Sequence, residues 1–183
     1  MQVLRIAAVA ALLGAGPAGA AEWDIDPAKS WLGFKGTASG TAFEGRFSRW
    51  VASISFDPAH ADRGHVVVLV DVSSAETGDR QKDETLSQGD WLNAEKYPKA
   101  TFEAKSFRFL GDTSYEAVGT LTLRGVTKHV VMPTTIEVDG ARLHASGHLD
   151  LIRTDYGVGE RTGAQWVGLK VVAAFDVTAR QLK

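Results

Sequence analysis

From residue 30 onward the chain alternates apolar and polar positions with period two, in eight separate runs. Residues 30–37 put Leu32 and Phe34 on one face, and residues 49–56 put Trp50, Ala52, Ile54 and Phe56 opposite Ser53 and Ser55. Residues 65–72 carry Val66, Val68, Val70 and Val72 on one side. Residues 99–109 carry Ala100, Phe102, Ala104 and Ser106 and then change parity, so Phe107 and Phe109 mark a candidate bulge. The remaining runs cover 115–123 (Tyr115 to Leu123), 126–138 (Val126, Val130, Met132, Ile136, Val138), 141–151 (Leu143 to Leu151) and 165–179 (Val167, Leu169, Val171, Ala173, Phe175, Val177). A short extra segment spans Trp23–Ile25. Asp26-Pro27, Asp57-Pro58, Gly111-Asp112, Arg124-Gly125 and Asp139-Gly140 supply turns between runs, and connections this short make sequence neighbours antiparallel.

One stretch breaks the period. Residues 75–98 hold few β-branched residues and many helix formers, which predicts a short helix at about 79–88. A second turn starts at Asp90, a fitting N-cap, and Pro98 ends the insertion, which covers about 79–95. A lone helical excursion of this kind is best placed over one end of the sheet system. Residues 38–48 and 152–164 read as long Gly-rich loops, the segments where function concentrates.

Eight hairpin-linked strands make an all-β domain, either an up-and-down barrel or a sandwich. Small side chains are frequent on the inward face: Ala52, Ala100, Ala104, Ser106, Ala117, Gly119, Ala145, Gly147 and Ala173. A solid core would use more Leu, Ile and Phe to reach close packing. An eight-stranded barrel interior is either filled by its side chains or holds one slim ligand. Small inward residues favour the hollow form. The alternative is that Trp31, Phe34, Phe43, Phe47, Trp50, Trp91 and Phe102 fold in and fill the space.

The first twenty residues belong outside this scheme. Arg5, the apolar run 6–16 and Ala18-Gly19-Ala20 form a secretory signal pattern, with cleavage predicted after Ala20 and Ala21 as the runner-up. The run is short of the roughly 18–20 apolar residues of a membrane span, and Gly14, Gly16 and Pro17 interrupt it. The expected mature unit is residues 21–183, a single exported domain of the periplasm. Cleavage removes Arg5 and no acidic residue, which leaves 19 Lys+Arg, 22 Asp+Glu and a formal charge of −3. Without a basic tail or patch, nucleic acid is a poor partner. The absence of cysteine excludes thiol catalysis, Cys-ligated metals and disulfide staples.

Candidate chemistry is sparse. His144 and His148 stand on the polar face of a strand, about 13 Å apart, too far to share an ion. Residues 157–163 (GVGERTG) lack both the spacing and the strand–turn–helix context of a phosphate loop. A nucleophile elbow is missing. Asp79, Asp83 and Glu84 read as helix-surface charge, with Arg80 and Glu84 as an i,i+4 pair. Nothing nominates a nucleophile, base or metal, so the chain is not expected to be an enzyme, and no cofactor is expected.

Four ordered motifs nevertheless resemble a known family. They are 25–50 (IDPAKSWLGFKGTASGTAFEGRFSRW), 76–107 (ETGDRQKDETLSQGDWLNAEKYPKATFEAKSF), 119–133 (GTLTLRGVTKHVVMP) and 153–160 (RTDYGVGE). The chain is identified as similar to the YceI family of exported, lipocalin-like lipid-binding proteins. The resemblance implies an elongated eight-stranded antiparallel barrel whose interior holds one long apolar chain: a polyisoprenoid, an isoprenoid quinone or a fatty-acid amide. It implies no catalytic residues. The form with TAFEGRF (41–47) and DWLNAEKYP (90–98) resembles members that accompany cytochrome b561-like membrane proteins, which makes a quinone ligand, and docking on such a partner through Trp31 and Trp166, further expectations. Barrels of this class often pair, which makes a homodimer a further expectation of the resemblance. On this reading Leu32, Phe34, Phe47, Trp50, Trp91, Phe102, Leu121 and Leu169 form the channel wall. Arg80, Asp90, Arg153, Asp155 and Tyr156 stand at the mouth, where they either orient a head group or fix the loops as ion pairs.

Overall fold

The computed structural model describes residues 20–182. The predicted signal segment therefore lies, apart from Ala20, outside the described residues. Period-two alternation builds one antiparallel sheet from β1 (Glu22–Ile25), β2 (Trp31–Ala38), β3 (Thr41–Phe47), β4 (Trp50–Ser55), β5 (His65–Asp71), β6 (Ala75–Glu76), β7 (Lys99–Gly111), β8 (Ser114–Leu123), β9 (Val126–Asp139), β10 (Arg142–Ile152) and β11 (Lys170–Gln181), with, among the described residues, a single α-helix, α1 (Arg80–Ser87). Six of these are arms of three long strands. A 3-10 turn at Pro27–Lys29 separates β1 from β2, Ser48 and Arg49 separate β3 from β4, and a 3-10 turn at Val72–Ser74 separates β5 from β6. The order β1-β4-β5-β7-β8-β9-β10-β11 closes on itself because β1 pairs with β11 as well as with β4. The outcome is a closed eight-stranded antiparallel barrel with one short helix among the described residues: of the barrel and the sandwich that the alternation and hairpin turns left open, it is the barrel, as the family resemblance implies.

The Arg124-Gly125 hairpin follows the expected chemistry. Both residues have positive φ (51° and 77°), the signature of the tight turn that matches strand twist. The parity change in β7 is a real bulge: its register with β8 shifts between Ala104 and Ser106. Phe107 thereby turns inward and is buried, whereas Phe109 remains exposed.

Residues 38–48 are not a loop. Ser39 and Gly40 make a tight turn, and Thr41–Phe47 pairs with β2 from Ala38↔Thr41 to Gly33↔Arg46. Gly45, a loop signal in the sequence, sits where a Cβ would meet the ring of Phe34 at 2.5 Å, so the glycine serves close packing inside a strand. The last strand begins at Lys170 rather than at 165, and Val167 makes only an isolated bridge to Ala38. The helical insertion is also shorter than 79–95. Asp79 caps α1 by accepting from the backbone N–H groups of Gln81 (3.0 Å) and Lys82 (3.2 Å), but the helix stops at Ser87 and a run of turns follows, with Asn93 at φ 51°.

Two buried clusters divide the interior. One, containing Trp23, Phe56, Phe107, Tyr115 and Leu143, closes the end covered by the 3-10 turn Pro58–Arg63, and the Trp23 indole donates to the Phe56 carbonyl at 2.9 Å. The other, containing Val70, Val72, Leu92, Tyr156 and Val158, lies beneath α1 and the 153–168 loop.

Candidate functional site

Between these clusters runs a cavity of about 260 Å³. On β10 its wall extends from Leu143 to Leu151, eight residues or about 27 Å along the strand. Of the nine small inward residues expected from the sequence, Ala52, Ala100, Ala117, Ala145 and Ala173 line it, whereas Ala104, Ser106, Gly119 and Gly147 do not; the open cavity decides for the hollow barrel over the filled one. Leu32, Phe34, Phe47, Trp50, Trp91, Phe102 and Leu121 line it too. Leu169 does not. It precedes the paired part of β11, and its side chain is exposed at the rim. Phe43, Leu86 and Leu92 are wall residues that the sequence reading missed. For Phe43 the signal was present, since Phe43 and Phe47 alternate with Glu44 and Arg46.

Apart from the indole nitrogens of Trp50 and Trp91, the wall's polar side chains are those of Thr101, Thr134, Arg153 and Tyr156. Thr134 donates its hydroxyl to the Met132 carbonyl at 3.1 Å. Arg153 is almost fully buried, and each of its five N–H donors meets a carbonyl oxygen. Nε donates to Gly168 (3.0 Å), one terminal nitrogen to Val158 (2.9 Å) and Gly159, and the other to Thr162 (2.6 Å) and Val167 (3.0 Å). Burial pulls the pKa of this guanidinium down, and the Asp90 carboxylate opposes that shift. The cation is solvated by loop carbonyls and has no donor left for a ligand. Of the two roles open to Arg153, the structure therefore places it in loop fixing.

The other mouth candidates separate. Arg80 points to solvent from α1 and pairs with Glu84 at 2.8 Å. Asp155 pairs on the outer surface with Lys128 at 3.2 Å. The Asp90 carboxylate faces Arg161 at 4.0 Å, while its carbonyl accepts from Gly159 N–H at 2.6 Å. None of these three lines the cavity. Tyr156 does: it is buried, and its hydroxyl makes no hydrogen bond among the described residues. Burial raises its phenol pKa, and the neighbouring Asp155 carboxylate raises it further.

Arg124 was not foreseen as a structural tie, because nothing in the sequence says where a hairpin tip points. It reaches back from the β8–β9 turn to the carbonyl of Gly89 (2.5 Å) and to that of Gly157, joining the turns after α1 to the 153–168 loop. Gly125 beside it lies against the Tyr97 ring. This explains physically why the LTLRG motif, 121–125, accompanies the other two segments. Among the described residues no cluster of three or more His, Cys, Asp or Glu side chains could hold a metal ion.

Residues 23–179 match the YceI-like domain model. The chain belongs to the YceI-like domain family. Curated relatives at 32% identity include the UPF0312 proteins of Pseudomonas syringae pv. syringae (157 residues; 81% of this chain and 82% of the relative) and of Azotobacter vinelandii (162 residues; 84% of each). Among solved structures, Burkholderia cenocepacia BcnA superposes with a TM-score of 0.80 at 31% identity, over 85% of this chain and 99% of that one. The Campylobacter jejuni YCEI protein gives 0.69 at 28%, over 76% and 84%. A polyisoprenoid binding domain from Saccharophagus degradans shares the fold, with a TM-score of 0.72 at 17% identity over 89% and 99%.

Proposed function

We propose that this YceI-like barrel is a periplasmic carrier that sequesters one long-chain apolar lipid, a polyisoprenoid or isoprenoid quinone, in its central cavity. The observation that carries the reading is the wall itself: apolar over its whole length, kept open by alanines, and without a carboxylate or histidine. The description of the Saccharophagus degradans neighbour as polyisoprenoid-binding supports the ligand class. The signal pattern of residues 1–20 supports export. Burying several hundred Å² of ligand at about 25 cal/mol per Å² supplies of the order of 10 kcal/mol before ordering costs, enough for binding by shape. Arg153 being saturated, the Tyr156 hydroxyl and the indole N–H groups of Trp50 and Trp91 are wall groups left to meet a carbonyl or hydroxyl on the ligand.

The test is mass spectrometry of the exported protein, purified without detergent and measured intact and after organic extraction. A stoichiometric apolar adduct is expected. An empty folded protein that takes up no isoprenoid on titration would remove the reading.

A second reading is docking on a membrane partner such as a b-type cytochrome. It draws on the exposure of Trp166 (63%) and Trp31 (45%). They do not make one patch, since Trp166 lies beside Ser39 and Trp31 starts β2, about 23 Å away along that strand. Loss of partner co-purification in Trp166→Ala, with lipid retained, would favour docking through the Trp166 side alone.

A further inference from the structure

The geometry points to a lateral gate: ligand enters and leaves the cavity through the seam between the β1–β2 and β3–β4 strands, and Phe47 and Trp50 are the gate residues. This inference rests on the carrier reading above.

The seam is a break in the barrel wall. The β2–β3 ladder ends at Gly33↔Arg46, and the β1–β4 ladder resumes only at Trp23↔Ile54. Between them, residues 24–32 and 47–53 share no ladder pair. Each strand is drawn toward its other neighbour. Asp26 N–H donates to the Thr178 carbonyl at 2.8 Å, and Thr178 N–H donates to the Ser30 hydroxyl at 3.0 Å, which holds the Pro27 excursion on β11. On the far side, Ser48 and Arg49 donate their N–H groups to the carbonyl and hydroxyl of Ser74, each at 3.1 Å. Pulled apart in this way, the strands leave an outward-opening hollow of about 470 Å³.

The hollow and the central cavity share four wall residues: Ile25, Phe47, Trp50 and Ala52. Phe47 and Trp50 are half-buried, one face toward each space. A single layer of side chains is the partition. Rotamer changes open such a partition quickly, without breaking a backbone hydrogen bond.

The other routes are better sealed. One end is filled by buried Trp23, Phe56, Phe107 and Leu143. The other is held by the carbonyl ties of Arg124 and Arg153. A second ladder break lies between β9 and β10, whose pairing stops at Thr134↔Gly147 because Pro133 has no N–H to give. Beside β9, Tyr156 is buried, with the Lys128 ammonium 5.7 Å from its ring centroid and paired with Asp155.

The chain has no cysteine, so a thiol pair can be placed cleanly. Asp24 and Val51 are both exposed and both line the hollow. Asp24→Cys/Val51→Cys is joined across the seam with a short bismaleimide containing a reducible disulfide. Val51→Trp blocks the hollow from outside without a crosslink. Uptake and release of cis-parinaric acid, a linear polyene that fluoresces when buried, are followed by stopped flow. Both modified proteins are expected to take up and release the probe about tenfold more slowly, with Kd within about twofold of the unmodified value. Reduction of the crosslink restores the rates. Unchanged rates in both proteins overturn the gate while leaving the carrier reading intact. An unmodified protein that takes up neither the probe nor an isoprenoid on titration removes both.

Discussion

The Arg153 guanidinium lies over the ring of Trp91, 5.6 Å from its centroid, while its edge is occupied by five loop carbonyls. A planar fork can serve all these partners at once, whereas an ammonium group cannot. Arg153→Lys keeps the charge and strands several buried carbonyls. The expected loss is about 2–4 kcal/mol. Urea unfolding measures it, and limited proteolysis should show cleavage moving into 157–168, with the β-barrel otherwise intact.

Arg124 ties the turns after α1 to the 153–168 loop, and Arg124→Ala cuts both bonds together. Stability is expected to fall by about 1–2 kcal/mol. Amide exchange should quicken at 89–97 and 157–163 rather than in the β8–β9 ladder. Gly125→Ala disturbs the same junction by another route, because the backbone there has φ 77° and the new Cβ would meet the Tyr97 ring at 2.7 Å. A cost of about 1 kcal/mol or more is expected, read as a lower thermal midpoint.

The strands and their inward face were legible because period-two alternation records that face; a sandwich would record it equally, so the choice of the barrel came from the family motifs. Ala52, Ala100, Ala117, Ala145 and Ala173 recorded the hollow as well. What stayed hidden depended on partners distant in sequence. β3 read as a loop because Gly45 looks like a turn residue, whereas its smallness answers Phe34 on the neighbouring strand. Leu169 kept the right parity but fell beyond the last ladder pair of β11. Arg153 and Asp155 were grouped by proximity in the chain, yet one turns into the loop carbonyls and the other outward to Lys128. A charged residue's type gives no indication of whether its donors are already taken.

Acid sensitivity should reside in the turn-capping carboxylates. The Ser73 hydroxyl and then Arg49 hold the Asp71 carboxyl below the usual range. The His60 side chain and Ala59 N–H do the same for Asp57, and Lys82 for Asp79. A carboxylate with a depressed native pKa contributes stability above its unfolded pKa, near 3.9, and that contribution is lost as pH falls through the native value. Urea midpoints should hold steady from about pH 7 to 5 and drop below about pH 4. Asp71→Asn should be weaker at neutral pH and should lose less on acidification. An identical slope in the variant would remove Asp71 from the account.

Ala173 separates a hollow barrel from a packed one. It faces Phe34 on β2 and Leu149 on β10 in the ladder and lines the cavity between them. In a filled core, Ala173→Phe would overpack and cost about 1–3 kcal/mol. In this barrel the ring has about 260 Å³ to enter, so stability should change by less than about 1 kcal/mol while ligand uptake falls. Gly147, also on the inward parity, cannot serve the same purpose. A Cβ there would meet the Pro133 carbonyl at 2.7 Å and the Phe175 ring at 2.8 Å, so any side chain pushes on the backbone before it reaches the cavity. Gly147→Leu should therefore lose stability and binding together, whereas Ala173→Phe should lose binding alone. Lipid extraction and thermal unfolding, run side by side on the two variants, distinguish a blocked cavity from a damaged barrel.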